Sequence, residues 1–411
     1  MNLQERYLAL HALLQPSADL WAHSILERWD PMEAWIPEEW FEFGVSATLE
    51  DQYLLGQGKL PSSTPATLSK WVERIQEVNA LPKSPAPIAI SSGYARGMTP
   101  KKRHEVAAIL GLIMQEGPRR HRTILDIGGG AGYLARHLSR AYGCPVESVD
   151  RNPVLHEEGR RQLTKEPWKS EIPDSVRFIT GTFPDDIISA RASQEHSGQT
   201  LAIGLHTCGD LAWSHLELVR QGASVLNFGC CYEIMDAQSA TNRSRFAQEH
   251  PIAFTRESLF LANRGGTERS QEEYMFQQRM QQFRFGLHQL LETEGHALLA
   301  CAVGNASEAH YRGSFAAYVR NRCEHLSIDL GVSDIEIEDF HRSNKPRLER
   351  MRFAAFLRNL LSRPVELALL TDRALYAHEI APAGSPEPQM LEFFDPKISP
   401  RNVGITHMRE A

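Results

Sequence analysis

Apolar residues recur every three or four positions along the first 80 residues, which is the spacing of amphipathic helices. The pattern predicts helices over residues 3–28 and 65–81. Five of the seven tryptophans fall in this first quarter, and their helical spacing favours packing in a core over stacking on bases. Residues 81–87 contain three prolines, which remove donors and fix φ. We therefore predict an N-terminal helical domain over residues 1–92.

Short apolar runs alternate with helical patterns from residue 93 onward. A helix over 100–115, a strand over 123–127 and a helix over 133–141 come first, with a run of glycines before the last of these. Strands that alternate with helices form parallel sheets, so the sequence predicts an α/β fold. The further strands of this sheet are predicted at 145–149, 176–180, 201–205 and 224–229.

The alternation stops after residue 235. A mainly helical segment, residues 236–364, follows, and we predict it to be an insertion that caps the substrate. The sheet resumes in residues 365–411, where a buried helix precedes two paired strands. The predicted core therefore consists of residues 93–235 and 365–411.

Composition narrows the class of protein. The 411 residues are 42% hydrophobic and 23% charged, as in globular proteins, and suffice for two or three domains. A net charge of −7 gives no global basic field, so any contact with RNA must be local. No uncharged apolar stretch reaches the ~18 residues of a membrane span. The N-terminus lacks a signal-peptide pattern, and six scattered cysteines fit reduced thiols, so we predict a cytoplasmic protein.

The glycine run predicts a ligand site. Asp126 precedes the loop 128–132 (GGGAG), whose backbone a ligand can approach closely, and the helix that follows offers unpaired N–H groups. Tyr133 stands where a dinucleotide fingerprint needs glycine or alanine. An acidic residue before the loop instead suits S-adenosylmethionine, which carries an ammonium group and no pyrophosphate. Asp150, which follows the next strand, is placed to bind a ribose diol.

Reactive side chains follow two later strands of the predicted sheet. Because the carboxyl ends of parallel strands meet at one edge, we expect these side chains to line one pocket and take them as catalytic candidates. His206 or Asp210 could accept a proton from a hydroxyl acceptor, while a structural role for His206 in orienting its loop is the alternative. The candidates are His206, Asp210 and Tyr232.

The cysteines at these strand ends raise the question of a metal ion. His206, Cys208, Cys230 and Cys231 could converge. Adjacent cysteines coordinate one tetrahedral ion poorly, however, and the chain has no Cys-x-x-Cys pair. We therefore predict no metal, and expect the cysteines to form small, soft pocket walls.

Five segments together resemble one known family, the methyltransferase-like 25 family of class I S-adenosylmethionine-dependent methyltransferases. Some of its members were formerly labelled as ribosomal RNA adenine dimethylase domain proteins. The similarity extends from Trp40 to Asn402. The segments are MTPKKRHEV from Met98, LHTCGDLA from Leu205, GCCY from Gly229, LLTDRALY from Leu369 and FFDPKISPRN from Phe393.

The resemblance implies a Rossmann-like, mostly parallel seven-stranded sheet and S-adenosylmethionine as the cofactor. The residues 206–209 (HTCG) stand where an adenine dimethylase would carry Asn/Asp-Pro-Pro-Tyr/Phe, which counts against adenine dimethylation. The resemblance places the following residues around the cofactor: Asp126, Gly128, Gly130 and Gly132 at the methionine end, Asp150 at the ribose, and Lys102, His104 and His206 at the border of the pocket. For Lys102 and His104 the alternative is that they form a solvated basic start to a helix.

The methyl acceptor is the property that transfers least from relatives. Residues 342–363 contain seven basic residues and one acid, Glu349. The favoured explanation is a solvated helix face, and the alternative is a site at which Arg347, Arg350 and Arg358 hold a polyanion, of which RNA is the most plausible. A protein or small-molecule acceptor is the alternative. A nicotinamide-dependent oxidoreductase and a non-catalytic adaptor are the rival functions for this type of sheet.

Overall fold

The computed structural model describes residues 1–116, 123–172, 175–184, 199–238, 241–266, 269–296, 303–304 and 306–409. The chain divides into two compact units. Unit 1 consists of Met1–Ala12, Asn79–Glu268 and Arg363–Ala411, and unit 2 of Leu13–Val78 and Arg269–Ser362. No helix in the described ranges is long and apolar enough to cross a membrane.

The described strands are β1 (Thr123–Ile127), β2 (Val146–Asp150), β3 (Val176–Thr180), β4 (Thr200–Cys208), β5 (Ser224–Cys230), β6 (Gln389–Glu392) and β7 (Val403–His407). The described α-helices are α1 (Leu3–Leu14), α2 (Ala18–Trp21), α3 (Trp29–Trp35), α4 (Glu38–Ser46), α5 (Leu49–Gly56), α6 (Ala66–Asn79), α7 (Pro100–Glu116), α8 (Tyr133–Tyr142), α9 (Pro153–Leu163), α10 (Trp168–Glu171), α11 (Leu211–Leu216), α12 (Arg245–Glu249), α13 (Arg256–Ala262), α14 (Gln271–Thr293), α15 (Glu308–Arg312), α16 (Phe315–Leu326), α17 (Asp334–Ser343), α18 (Lys345–Leu360) and α19 (Ser362–Ile380). Short 3₁₀ helices cover Gln15–Ser17, Glu217–Gln221 and Tyr232–Ile234.

The seven strands form one sheet in unit 1, in the order β3-β2-β1-β4-β5-β7-β6. All neighbouring pairs are parallel except those of β7, which runs antiparallel to β5 and β6. This is the predicted class I methyltransferase sheet, and the prediction is confirmed. The chain reverses its direction of strand addition between β1 and β4, and ligands bind at such a switch point, beyond the carboxyl ends of the strands.

The central strands are buried on both faces, as helix-covered parallel strands must be. Every residue of β5 is buried, and β1 is buried from Ile124 to Ile127. The helix α8 is bounded by glycines with left-handed backbone, Gly132 at its start and Gly143 at its end. It buries Leu134, Ala135 and Leu138 in the core shared with β1 and β2. The glycine loop is therefore attached to a buried strand and to a helix that packs in the core.

Unit 2 corrects the predicted domain boundaries. Separate domains were expected over residues 1–92 and 236–364, whereas residues 13–78 and 269–362 form one compact unit. Phe353 of α18 packs against Phe41 and Phe43 of α4, and a Cβ on Gly44 would collide with the Phe353 ring. Helical periodicity identifies apolar faces but not which distant faces pair, so the sequence pattern could not join these segments.

Candidate functional site

The loop between β1 and α8 is held in a conformation that glycine favours. Gly128, Gly130 and Gly132 have φ values of 71°, 55° and 67°, a region that other residues adopt only with strain. The N–H groups of Gly128 and Gly129 both donate to the carbonyl oxygen of Val149, which ties the loop to β2. The three loop glycines singled out from the sequence are therefore dictated by the backbone.

Asp126 lies directly beneath this loop. Its side chain is 1% exposed, and a Cβ on Gly129 would lie 2.5 Å from its Oδ2 atom. Oδ2 has no hydrogen-bond partner within the described structure. Burial raises the pKa of Asp126 to about 7, and the charge of Asp150 adds to this, against the opposing effect of the Lys102 ammonium and a hydrogen bond from the Ala135 N–H. A buried carboxylate with one free oxygen is suited to a cationic ligand.

Asp150 ends β2, beside the same loop. Its Oδ2 accepts a hydrogen bond from the Gly130 N–H at 3.0 Å, and its Oδ1 accepts one from the Asn152 N–H at 2.9 Å. Each carboxylate oxygen retains a second lone pair for a hydroxyl donor. Asp150 therefore fixes the tip of the loop and keeps capacity for a diol.

Glu105 on α7 joins three of the five segments that carry the family resemblance, and the sequence interpretation did not assign it a role. Its side chain is 0% exposed, and its Oε1 accepts hydrogen bonds from Ser399 Oγ at 2.8 Å and from His206 Nε2 at 2.9 Å. The Lys102 ammonium lies 3.4 Å from its Oε2. Burial alone would raise the pKa of Glu105, but His206, Lys102 and Ser399 outweigh it and lower the pKa to about 2. Glu105 is therefore ionised.

The ionised Glu105 decides which ring nitrogen of His206 carries the proton. A carboxylate only accepts hydrogen bonds, so Nε2 of His206 must donate. In the neutral ring the basic lone pair then lies on Nδ1. His206 has a φ of 66°, and such strain in a residue other than glycine costs about 1–3 kcal/mol. The strained backbone and the buried Glu105 together fix the orientation of the imidazole.

The other candidates from the sequence lie in different surroundings. His104 accepts a hydrogen bond at Nε2 from the Asp395 N–H and contacts the Phe394 ring, so it holds the C-terminal FFDP segment. Asp210 is exposed at the start of α11. Tyr232 is 0% exposed, and its hydroxyl donates to Glu366 Oε1 at 3.1 Å. This burial supports a packing role for Tyr232 over direct contact with an acceptor.

Three thiols meet where β4 and β5 end. The sulfur of Cys208 lies 3.2 Å from that of Cys230 and 3.5 Å from that of Cys231. The hydrogen bond from the Cys230 thiol is the main cause that lowers the pKa of Cys208 to about 6, while the pKa values of Cys230 and Cys231 are raised. The sulfurs of Cys208, Cys230 and Cys231 therefore converge at these strand ends, although Cys230 and Cys231 are adjacent in sequence.

Of the three arginines of α18 predicted to hold a polyanion, Arg347 is exposed, and the other two make contacts within unit 2. Arg350 forms ion pairs with Glu33 and Glu38 and lies over the Phe41 ring. Arg358 donates from Nε to the carbonyl oxygen of His23. These two guanidinium groups join α18 to the N-terminal helices of unit 2. The other face of the helix buries apolar residues. The concentration of arginines therefore gives little support to an RNA-binding surface.

Comparisons with known proteins identify a methyltransferase domain, which agrees with the class I strand order of the sheet. Residues 101–238 match a family model described as a methyltransferase domain. The probable methyltransferase-like protein 25 of Mus musculus is 25% identical over 283 residues, which cover 62% of this chain and 44% of that protein. Its Homo sapiens counterpart is 23% identical over 268 residues, covering 61% and 43%. The match thus spans less than half the length of these curated relatives.

A solved structure, a sarcosine dimethylglycine methyltransferase from Galdieria sulphuraria, is 13% identical with a TM-score of 0.23, and covers 38% of this chain and 58% of its own. Residues 101–238 thus match a methyltransferase domain, the sheet has the class I strand order, and the chain is similar to methyltransferase-like protein 25.

Proposed function

We propose that this chain transfers a methyl group from S-adenosylmethionine to an acceptor held beyond the carboxyl ends of β4 and β5. The observation that carries the proposal is the buried carboxylate of Asp126, whose Oδ2 has no partner among the described residues and lies under a loop of left-handed glycines. The free oxygen and the close backbone fit a ligand that carries an ammonium group.

The described residues match the parts of this cofactor. Asp126 would hold the ammonium group and Asp150 the ribose hydroxyls, while the Lys102 ammonium suits the carboxylate of the methionine part. Glu105 keeps Lys102 in place through its Oε2. When bound, the cofactor supplies an electrophilic methyl group on a sulfonium. The protein's task is then to align the acceptor and exclude water.

On the acceptor side, His206 is the best-positioned proton acceptor. Its Nε2–H is committed to Glu105, which leaves Nδ1 to take the proton of a hydroxyl acceptor. Buried Glu105 would stabilise the imidazolium that forms, as the acidic partner of a catalytic histidine does. Asp210, at the exposed start of α11, is the second candidate.

His206→Ala is expected to lower turnover about 100-fold or more while changing cofactor affinity less than about threefold. Asp210→Asn is the matched comparison, because it removes the other candidate base without touching Glu105. Single-turnover rates and cofactor binding measured on both variants separate the roles. Loss of cofactor binding with normal turnover at saturation would instead place His206 among the cofactor contacts.

Gly130→Ala tests the cofactor site with a matched control. A Cβ on Gly130 meets only ordinary contacts, Leu155 at 3.6 Å and Asp150 Oδ2 at 3.9 Å, so the variant should fold with about 1–2 kcal/mol of left-handed strain. Gly143→Ala carries the same type of strain, with φ of 63° and nothing within 4 Å. We expect at least about a tenfold loss of S-adenosylmethionine affinity in Gly130→Ala only.

Equilibrium dialysis of the wild-type protein against S-adenosylmethionine and a nicotinamide cofactor tests the proposal against both rival functions. Binding of the nicotinamide cofactor alone would favour an oxidoreductase, and binding of neither an adaptor. In the glycine variants, equal affinities of Gly130→Ala and Gly143→Ala for S-adenosylmethionine would contradict the assignment of the glycine loop to the cofactor site.

The acceptor is to be found by transfer of a labelled methyl group. The sequence leaves the acceptor undetermined, and RNA, proteins and small molecules are the classes to be tested. Incubating the protein with labelled cofactor and separate RNA, protein and metabolite fractions distinguishes these classes. Label that appears only in the protein or metabolite fraction would reject RNA.

A further inference from the structure

Four residues that the proposed reaction does not use, from three of the sequence segments, converge at the ends of β4 and β5. Cys208 comes from LHTCGDLA, Cys230 and Cys231 from GCCY, and Arg373 from LLTDRALY. The three sulfurs lie within 4.8 Å of one another. Cys230 is buried, and Cys208 and Cys231 are partly exposed, so the cluster is accessible from one side.

The backbone explains how two adjacent cysteines contribute to one cluster. Successive side chains on a strand point to opposite faces, which is why neighbouring cysteines usually make a poor pair of ligands. Cys230 is the last residue of β5, however, and Cys231 follows with φ 53° and ψ 54°. This left-handed residue breaks the alternation. Cys208 is the register partner of Cys230 on β4, so the third thiol is brought in by the sheet itself.

The spacing of the sulfurs suits a metal ion. Three sulfurs that bind one tetrahedral zinc ion at about 2.3 Å stand about 3.8 Å apart. Two of the separations are 3.2 and 3.5 Å and none exceeds 4.8 Å, so small side-chain rotations reach that value. Thiolate sulfur selects soft or borderline ions such as Zn²⁺ and Cu(I).

A buried arginine provides an independent observation. Arg373 is 0% exposed, and its Nε and Nη1 atoms have no hydrogen-bond partner in the described structure. A Cβ on Gly229 would collide with Nη1, so the guanidinium lies against the residue that precedes Cys230. Charges at Tyr232, Asp372, Cys230 and Asp210 act on this guanidinium. Two of its nitrogens still lack a hydrogen-bond acceptor, and three thiolates on one metal ion beside Gly229 would add net negative charge there.

We propose that Cys208, Cys230 and Cys231 bind one thiophilic metal ion, Zn²⁺ or Cu(I), through three sulfurs, with the Arg373 guanidinium balancing the charge of the thiolates. This site replaces the sequence expectation of no metal. It does not depend on which methyl acceptor the protein uses. With zinc, the fourth position remains open to a water molecule or another ligand.

The test is metal titration of the full chain after reduction and removal of bound metal. Co²⁺ is expected to give thiolate-to-cobalt charge-transfer absorption that saturates at one ion per chain and disappears when Zn²⁺ displaces it. In a second arm, Cu(I) is added without oxygen against a competing chelator. The preferred metal is the one that saturates the site at one ion per chain and that the other metal does not displace.

Variants make the assignment specific. Cys208→Ser and Cys231→Ser are expected to weaken binding at least about 100-fold, because each removes a direct ligand. Cys144→Ser, which removes a half-buried thiol outside the cluster, should bind as the wild type does. Cys230→Ser is a supplementary variant, since its thiol is buried and the change can affect folding. The proposal is overturned if neither metal binds, if binding survives in both Cys208→Ser and Cys231→Ser, or if Cys144→Ser loses it equally.

Discussion

Asp126→Asn is expected to stabilise the cofactor-free protein at pH 8 and to weaken S-adenosylmethionine binding at least about 30-fold, equivalent to about 2 kcal/mol. The two effects have opposite signs because the charge of Asp126 is costly without a cation and useful with one. Burial is the main cause that raises the pKa of this carboxyl to about 7 from its ordinary value of 3.8.

The pH dependence follows from that shift. Between about pH 3.8 and 7 the folded protein binds more protons at this site than the unfolded chain, so the free energy of unfolding falls as the pH rises through this window. The full free-energy cost of the ionised, buried Asp126 carboxylate is present above about pH 7. It amounts to at most about 4 kcal/mol, of which asparagine recovers part because its amide needs partners of its own.

Urea unfolding of both proteins at pH 4 and pH 8, together with calorimetric titration of the cofactor, checks this prediction. The variant should be more stable than the wild type at pH 8, and the difference should shrink towards pH 4. An unchanged cofactor affinity in a folded Asp126→Asn protein would remove this carboxylate from the proposed site.

The core of the methyltransferase domain was predictable because its signals are local. Alternating apolar runs located all seven strands, with β1 and β3 at their predicted bounds, and the glycine loop required no knowledge of distant residues. The separation of the chain into units was not predictable in this way. It depends on contacts such as Phe353 with Phe41, which lie more than 300 residues apart.

The site was predictable only in part, for a similar reason. Glu105 stood inside a recognised segment, and its spacing from Lys101 and Lys102 by four and three residues was the available signal. Its importance arises from packing against His206 and Ser399, which a helical pattern does not reveal. The thiol cluster depended on the left-handed backbone of Cys231, which is unusual for a residue other than glycine.

Glu105→Gln is expected to lower the free energy of unfolding at pH 7 by about 2–4 kcal/mol. The amide keeps the shape of the side chain but removes the charge that attracts Lys102. It can also either accept a hydrogen bond from the His206 ring or donate one to it, so the ring tautomer is no longer fixed. Burial raises the pKa of Glu105, but His206, Lys102 and Ser399 together lower it from 4.5 to about 2. The carboxylate therefore stabilises the fold where it is ionised.

This contribution is fully present above about pH 4.5, where the unfolded carboxyl is also ionised, and is lost as the pH falls towards 2. The wild type and Glu105→Gln should thus differ most at neutral pH and converge in acid, with the wild type the more stable protein, whereas for Asp126→Asn the variant is the more stable one. Turnover should fall as well, because His206 loses its fixed tautomer. Lys101→Gln is the matched control, since its ammonium lies 3.7 Å from Glu105 and is about half exposed. It should cost less than about 1 kcal/mol, and an equal loss in both variants would contradict the central role of Glu105.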